Sequence, residues 1–433
     1  MKQRLAWPAA PKKTTPAYKG KTEQALAYLS DQPEKTLQIA QKLVNQNSND
    51  PFLHLLIGRA HQKMGNFPQA EKSYNHALEL NQYYEDAIHA RVDLLYQSER
   101  YDEAVTVLNN AITALGKSQS LGFRAFLAST LLKQKKYEQA VEIYKELLEE
   151  DPANWLHWNN LGMIYQDQSL FAEMDDAFIN ATKHTTDDPI PYYNRIVGAH
   201  YNPQQTAEEI LAICQEWQEK FAVRQKPRIK AKELDKNKRL RVGMISDGFR
   251  LHPVGNMITL ALSAIPASQI EFYAYSTNFR NDHMTQRIKR FCSKWMVVEN
   301  YSVDKLDSII REDEIDILLD LSGYNSNSCM RNFQLAPAPL QVKWVGGLIS
   351  STGLQTMDYL ISDNIETPEG SDTLYTEKLI RMPNDYICYD PPAYLPPLAD
   401  NPVKRNGFIT FGCFNTATKI NEVLLQQWSV IMH

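Results

Sequence analysis

Four stretches of the chain repeat one order of apolar and polar positions: NFPQAEKSYNHAL (66–78), RYDEAVTVLNNAI (100–112), KYEQAVEIYKELL (136–148) and LFAEMDDAFINAT (170–182). Each has an aromatic residue, then Ala or Met, then an aromatic or aliphatic residue, at the spacing of one helix face. The matching positions Ala70, Ala104, Ala140 and Met174 stand 34, 36 and 34 residues apart, with Thr36 in EKTLQIAQKLV a further 34 upstream. Residues 190–220 continue as helices that cap this array. After residue 239 the pattern changes to short apolar runs: RVGMIS (241–246), FYAYS (272–276), KWMVV (294–298), IDILLDL (315–321), LQVKWVG (340–346) and MDYLIS (357–362). Helical stretches such as NMITLALSAI (256–265) and DHMTQRIKRFC (282–292) lie between them. Apolar strands alternating with helices predict a mainly parallel sheet covered on both faces. GFITFGCFN (407–415) reads as one more buried strand, followed by a turn with an exposed lysine and an amphipathic helix.

A period of 34 with these residue types is the tetratricopeptide signature, each unit a helix pair in which the small residue lets two helices approach. Gly58, Ala77, Gly162 and Ala181 fill further small positions, and Pro152 ends a repeat. The Tyr and Leu stripes are therefore core rather than a cofactor box. The fold class is an α-solenoid followed by an α/β unit. The chain divides into a disordered leader (1–20), tetratricopeptide repeats (21–190), a helical connector and basic linker (191–238), a sheet-bearing unit (239–390), and a Pro-rich linker with the start of another α/β unit (391–433).

A chain of 433 residues is too long for one ordinary core, in keeping with that division. The net charge of −5 gives no reason to expect nucleic acid or an acidic membrane as partner, and the basic stretch 223–241 lacks interleaved aromatics. No apolar run is long enough to span a bilayer, and the basic, proline-bearing N-terminus is no signal peptide. Five scattered cysteines without a CxxC pair fit a reduced, cytoplasmic setting and suggest neither zinc nor disulfides.

Three stretches could carry chemistry. In SDGFRLHPVGNM, His252 follows the first strand and Pro253 opens a helix, beside a helix N-terminus suited to phosphate. The alternative is a histidine that merely caps that helix. In DLSGYNSNSCMRNFQLAPAPLQVKWVGGLISSTG (320–353), Gly323, Tyr324, Asn325, Arg331, Gly346, Gly347 and the Ser350–Gly353 run suit a sugar or a phosphate; ordinary turns look similar. There is no GxGxxG. In FNTATK, Lys419 could neutralise a phosphate at a helix start, or be a surface lysine.

These stretches, in this order behind tetratricopeptide repeats, resemble the O-linked N-acetylglucosamine transferase family, in particular its SPINDLY-type members. The residues that carry the resemblance are RVGMISDGFRLHPVGN (241–256), LDLSGYNSNSCMRNFQLAPAPLQVKWVGG (319–347), STGLQTMDYLISD (351–363), YTEKLIRMPNDYICYDPP (375–392) and GFITFGCFNTATKINEVLLQQW (407–428), with AHYNPQQTAEEI (199–210) similar to the family's connector. The resemblance implies a GT-B glycosyltransferase fold of two Rossmann-like halves, of which 239–390 is the first. It implies inverting transfer of N-acetylglucosamine from UDP-N-acetylglucosamine to Ser or Thr of proteins, with no metal or other cofactor. Carried over by position, His252 matches an active-site histidine considered as a base. Lys419 matches the lysine that stabilises the departing diphosphate. Asn415 would shape the nucleotide loop, and Gly346 and Gly347 would lie near the sugar. A protein or peptide acceptor would bind through the repeats, and a homo-oligomer through them stays open.

The chain departs from the family in four ways. ISSTG stands where GTTG or GTSG is usual, one residue longer, which bears on donor identity. Thr418 replaces a tyrosine of some members. The sixth position of the repeats is Leu56, Ala90, Phe126 and Asn160, so an asparagine ladder is not expected to read the acceptor. The second Rossmann-like half stops soon after it starts, so the chain is expected to be truncated and inactive alone. Two other functions follow from these departures: a peptide-binding scaffold, or a related transferase using GDP-fucose or UDP-glucose.

Overall fold

The computed structural model describes residues 16–223, 226–230, 238–325, 327–347, 350–391 and 395–432. Most of the expected leader, much of the basic linker and Leu348–Ile349 of the longer loop lie outside the described residues. Residues 16–20 are not leader but the start of helix α1 (Pro16–Tyr28), where Tyr18 and Thr22 are buried. The chain divides into two compact units, residues 1–164 and 165–433.

The first unit is built from helices α1, α2 (Pro33–Val44), α3 (Pro51–Lys63), α4 (Phe67–Leu80), α5 (Glu85–Gln97), α6 (Tyr101–Leu115), α7 (Leu121–Lys133), α8 (Tyr137–Glu150) and most of α9 (Trp155–Asp167). The period predicted the contacts: Thr36, Ala70, Ala104 and Ala140 are all fully buried. Thr36 brings a hydroxyl to this apolar position and satisfies it by donating to the Ala25 carbonyl at 2.7 Å. Gly58 is a point of close approach, because a methyl group there would overlap the Tyr74 ring. Between the helices of successive pairs, Gly65, Glu99 and Lys135 take the same left-handed turn, at φ of 76°, 59° and 58°.

The second unit opens with α10 (Phe171–His184), α11 (Ile190–Ala199) and α12 (Ala207–Lys220). Its sheet runs through β1 (Leu240–Ser246), β2 (Ile270–Ser276), β3 (Cys292–Val297), β4 (Ile317–Asp320), β5 (Leu340–Lys343), β6 (Tyr359–Asp363) and β7 (Lys378–Met382). The order is β3-β2-β1-β4-β5-β6-β7 and every neighbouring pair is parallel. Helices α13 (Pro253–Ala264), α14 (His283–Lys289), α15 (Val303–Glu312) and α16 (Met330–Gln334) connect the strands. Val254, Ile258 and Ile288 pack with Met244 and Ala274 in one core. Tyr193, Ile213 and Trp217 pack with Ile245 and Leu318 in another. The helices expected as a connector (191–220) thus belong to the core of the sheet-bearing unit, held there by their aromatic faces.

Two further expectations fail. The helix expected over DHMTQRIKRFC (282–292) is shorter: α14 ends at Lys289 and Cys292 already opens β3. GFITFGCFN forms no strand: Phe408, Ile409, Phe411 and Phe414 are exposed, and among the described residues no strand pairs with them. A strand without a hydrogen-bonding neighbour has nothing to hold it extended. The rest of this segment holds two short helices, α17 (Pro402–Asn406) and α18 (Glu422–Met432), and no residue of 395–432 is buried.

Candidate functional site

The strand order places a topological switch between β1 and β4. From β1 the chain builds outward to β2 and β3, then returns to lay β4 to β7 on the other side. In open α/β sheets the loops that leave two such neighbouring strands diverge and form the ligand crevice at the strands' carboxyl ends. The loop after β1 runs through Asp247 and Gly248 to His252, and the loop after β4 is Leu321–Ser322–Gly323. They are tied together where they start, the Asp247 N–H donating to Ser322 Oγ at 3.2 Å.

His252 is the N-cap of α13, with extended backbone, and Pro253 follows at the first helical position. The Val254 N–H donates to His252 Nδ1 at 3.3 Å. A nitrogen that accepts carries no proton, so the neutral ring bears its hydrogen on Nε2. Burial holds the imidazole below its ordinary pKa, with Asp247 opposing and Arg250 adding to the fall. The capping reading of His252 holds: Nδ1 serves the helix, and Nε2–H is left as a donor. In this tautomer His252 is not a base.

Gly346 and Gly347 follow β5, at φ of 78° and 69°. A side chain at Gly346 would overlap the Leu321 carbonyl and press on Val254 in the first turn of α13. One at Gly347 would meet the Ser322 carbonyl oxygen at 2.8 Å. The two glycines thus bring the β5 loop flat against the β4 loop and beside the His252 cap. His252, Gly346 and Gly347 share one crevice edge.

The floor under that edge holds a buried ion pair that the sequence reading passed over. Asp320 lies opposite Lys343 in the β4–β5 register, and the Lys343 ammonium is 3.6 Å from its carboxylate. Asp320 also accepts from the backbone N–H groups of Ser322 and Gly323, and Lys343 donates to the Gly346 carbonyl at 3.0 Å. Burial raises the Asp320 carboxyl, with Lys343 and the two amides opposing. The pair therefore fixes both loops of the crevice at once. An acid in ILLDL and a base in QVKW, each inside an apolar strand, was the available signal.

Beyond the glycines, Ser351–Gly353 is held by Glu377, also unflagged by the sequence. Its carboxylate, 4% exposed, accepts from Ser351 Oγ and the Thr352 N–H, both at 2.7 Å, and from Thr352 Oγ1. The Tyr324 hydroxyl donates to the Thr352 carbonyl. A cavity of about 10 Å³ lies beside this loop, lined by Ile196, Asn325, Lys343 and Ser350 among others. It has room for about one water. Arg331 lies on α16, with its Nε buried and unpaired.

Asn415 and Lys419 are not brought to this crevice. Both are exposed, Lys419 in the turn Ala417–Lys419, and among the described residues no hydrogen bond or ion pair joins 395–432 to the sheet. Nor do the described residues contain a group of three His, Cys, Asp or Glu side chains that could hold a metal ion.

A parallel sheet with a glycine-edged crevice at its switch point, in a chain that also carries tetratricopeptide helix pairs, is the architecture of one half of a GT-B glycosyltransferase. Comparison with known proteins agrees. The pattern of glycosyl transferase family 41 matches residues 200–430, and tetratricopeptide repeat patterns match 55–119 and 95–164. The chain belongs to glycosyl transferase family 41. It is similar to "Probable UDP-N-acetylglucosamine--peptide N-acetylglucosaminyltransferase SPINDLY" of Oryza sativa subsp. japonica, 31% identical over 245 residues, which are 55% of this chain and 26% of that protein. It is also similar to the UDP-N-acetylglucosamine–peptide N-acetylglucosaminyltransferase of Caenorhabditis elegans, 31% identical over 39% of this chain and 15% of the relative. Among solved structures, an O-GlcNAc transferase mutant of Thermobaculum terrenum superposes with a TM-score of 0.66 at 26% identity, covering 89% of this chain and 66% of the other. The match to the SPINDLY relative spans about a quarter of that protein's length.

Proposed function

We propose that the chain supplies the acceptor-binding repeats and first catalytic half of a protein O-glycosyltransferase. This enzyme moves N-acetylglucosamine from UDP-N-acetylglucosamine to Ser or Thr hydroxyls with inversion. The observation that carries the reading is the crevice edge shared by His252, Gly346 and Gly347, in a chain of family 41. Gly346 and Gly347 border the donor sugar, where the absence of side chains lets a ligand approach the backbone. His252 Nε2–H donates to a donor oxygen. Lys419 stabilises the charge that grows on the departing diphosphate, the task a metal ion performs elsewhere, and Asn415 shapes the same loop. That assignment rests on the FGCFNTATK motif. Transfer needs no metal, the acceptor is a protein or peptide held by the repeats, and the five free cysteines fit a cytoplasmic setting.

The deciding experiment is Lys419→Ala in the complete polypeptide, assayed for transfer to a peptide. Turnover falls about 10²–10³-fold while the melting temperature is unchanged, the loss typical of a removed transition-state partner. Undiminished turnover overturns the assignment. Hydrolysis of UDP-N-acetylglucosamine, UDP-glucose and GDP-fucose, each with and without EDTA, identifies the donor and tests the metal independence.

A further inference from the structure

His200 caps the C-terminal end of α11, well away in sequence from the crevice loops. Its Nδ1 lies 2.7 Å from the Ile196 carbonyl, which can only accept, so Nδ1 carries the proton. That leaves Nε2 as an acceptor. Ser350 Oγ lies 2.7 Å from it and donates. The ring is thus oriented by the last turn of its own helix, whose carbonyls need partners, and presents a fixed acceptor to a loop 150 residues away.

What this bond holds becomes clear from the other attachments of the loop. Glu377, Tyr324 and Cys214 all grip it at Ser351 or Thr352, on its far side from the glycines. Ser350 is the described residue on the glycine side of those attachments, and among the described residues His200 is its hydrogen-bond partner. The ring is mostly removed from water, and the neighbouring charged group is Lys343, itself paired with Asp320. A neutral acceptor suits this place, since a charged ring would face the Lys343 ammonium.

We propose that His200 is a positioning residue for donor binding, setting through Ser350 the path of the Ser350–Gly353 loop beside the Gly346–Gly347 turn. The proposal rests on the reading that these glycines border the donor sugar. It also gives the helices α11 and α12 a task besides covering the sheet, since the cap of α11 is what reaches the loop.

The test compares His200→Ala, Ser350→Ala, the double variant and His200→Gln with the parent in the complete polypeptide. Losing one hydrogen bond raises the donor KM about five- to tenfold in each single variant and leaves the acceptor KM unchanged. The double variant is no worse than either single one, because both remove the same bond. His200→Gln, which keeps one donor and one acceptor, recovers the parent value to within about twofold. An unchanged donor KM, or losses that multiply, overturns the proposal. Hydrogen exchange of the Ser350–Gly353 amides is measured on the same samples and speeds up in His200→Ala. If the parent binds no nucleotide sugar, the proposed function has failed, and an unchanged exchange rate then overturns the hold itself. Should His200→Ala not fold, Ser350→Ala, which deletes one hydroxyl, carries both measurements.

Discussion

Single residues at the crevice differ in how openly the sequence declares them. His252, Gly346 and Gly347 sit where a strand gives way to a turn or helix, so punctuation alone exposed them. Lys343, Glu377 and His200 draw their roles from partners that no local pattern indicates: a register neighbour, a loop 26 residues upstream, and one 150 residues downstream. Two predictions belong to this scale. Lys343→Met leaves the Asp320 charge buried and uncompensated and destabilises by about 3–5 kcal/mol in denaturant titration. Adding Asp320→Asn restores most of that loss; a single variant as stable as the parent would show that no such pair forms. The second concerns acid. Burial lowers the His200 pKa below the unfolded value, so the stability it contributes is present above about pH 6.5 and is lost as pH falls through the lowered folded value. Asp320, raised by burial, works in the opposite sense and does so in parent and variant alike. The melting temperature of the parent should therefore drop more steeply below pH 6.5 than that of His200→Gln.

At the scale of elements, the helical repeat was the most legible feature, because a fixed period multiplies a weak local signal. The strands were legible where both faces are buried, as in β1. β7 escaped notice because its residues alternate between exposed and half-buried, which dilutes the apolar run. GFITFGCFN erred the other way: strand-like composition without a neighbouring strand. The inter-helix turns offer a stability test. Lys135 occupies a left-handed conformation that disfavours a Cβ by about 1–2 kcal/mol, against a glycine entropy cost of about half that. Lys135→Gly should raise stability by about 0.5–1 kcal/mol, whereas Gly58→Ala should lower it by about 1–3 kcal/mol by pressing into Tyr74. Both are read from denaturant midpoints.

Across the whole molecule, the order of solenoid and sheet was readable, but the seam between units was not. Helix pairs continue past residue 164 with unchanged period, and periodicity cannot tell which core a helix face will join. Trp217 and Tyr193 settle it by packing with the sheet. The segment 395–432 lies at the opposite extreme, with no buried residue. A chain ending at residue 391 should melt at the same temperature as the 433-residue chain, and protease should remove 395–432 before it cuts the sheet. A lower melting temperature on truncation would mean that this segment packs on the rest.

The cap at His252 has a consequence for how such a sequence drifts. Asp, Asn and Ser cap helices better than most residues, and histidine is not among the favoured ones. Selection for folding alone would let this codon wander towards those three with no harm to α13. Gly346 and Gly347 have no such freedom, since a side chain at either would meet the backbone of the β4 loop. Within this fold, sterics hold the two glycines in place, whereas the cap alone does not demand a histidine.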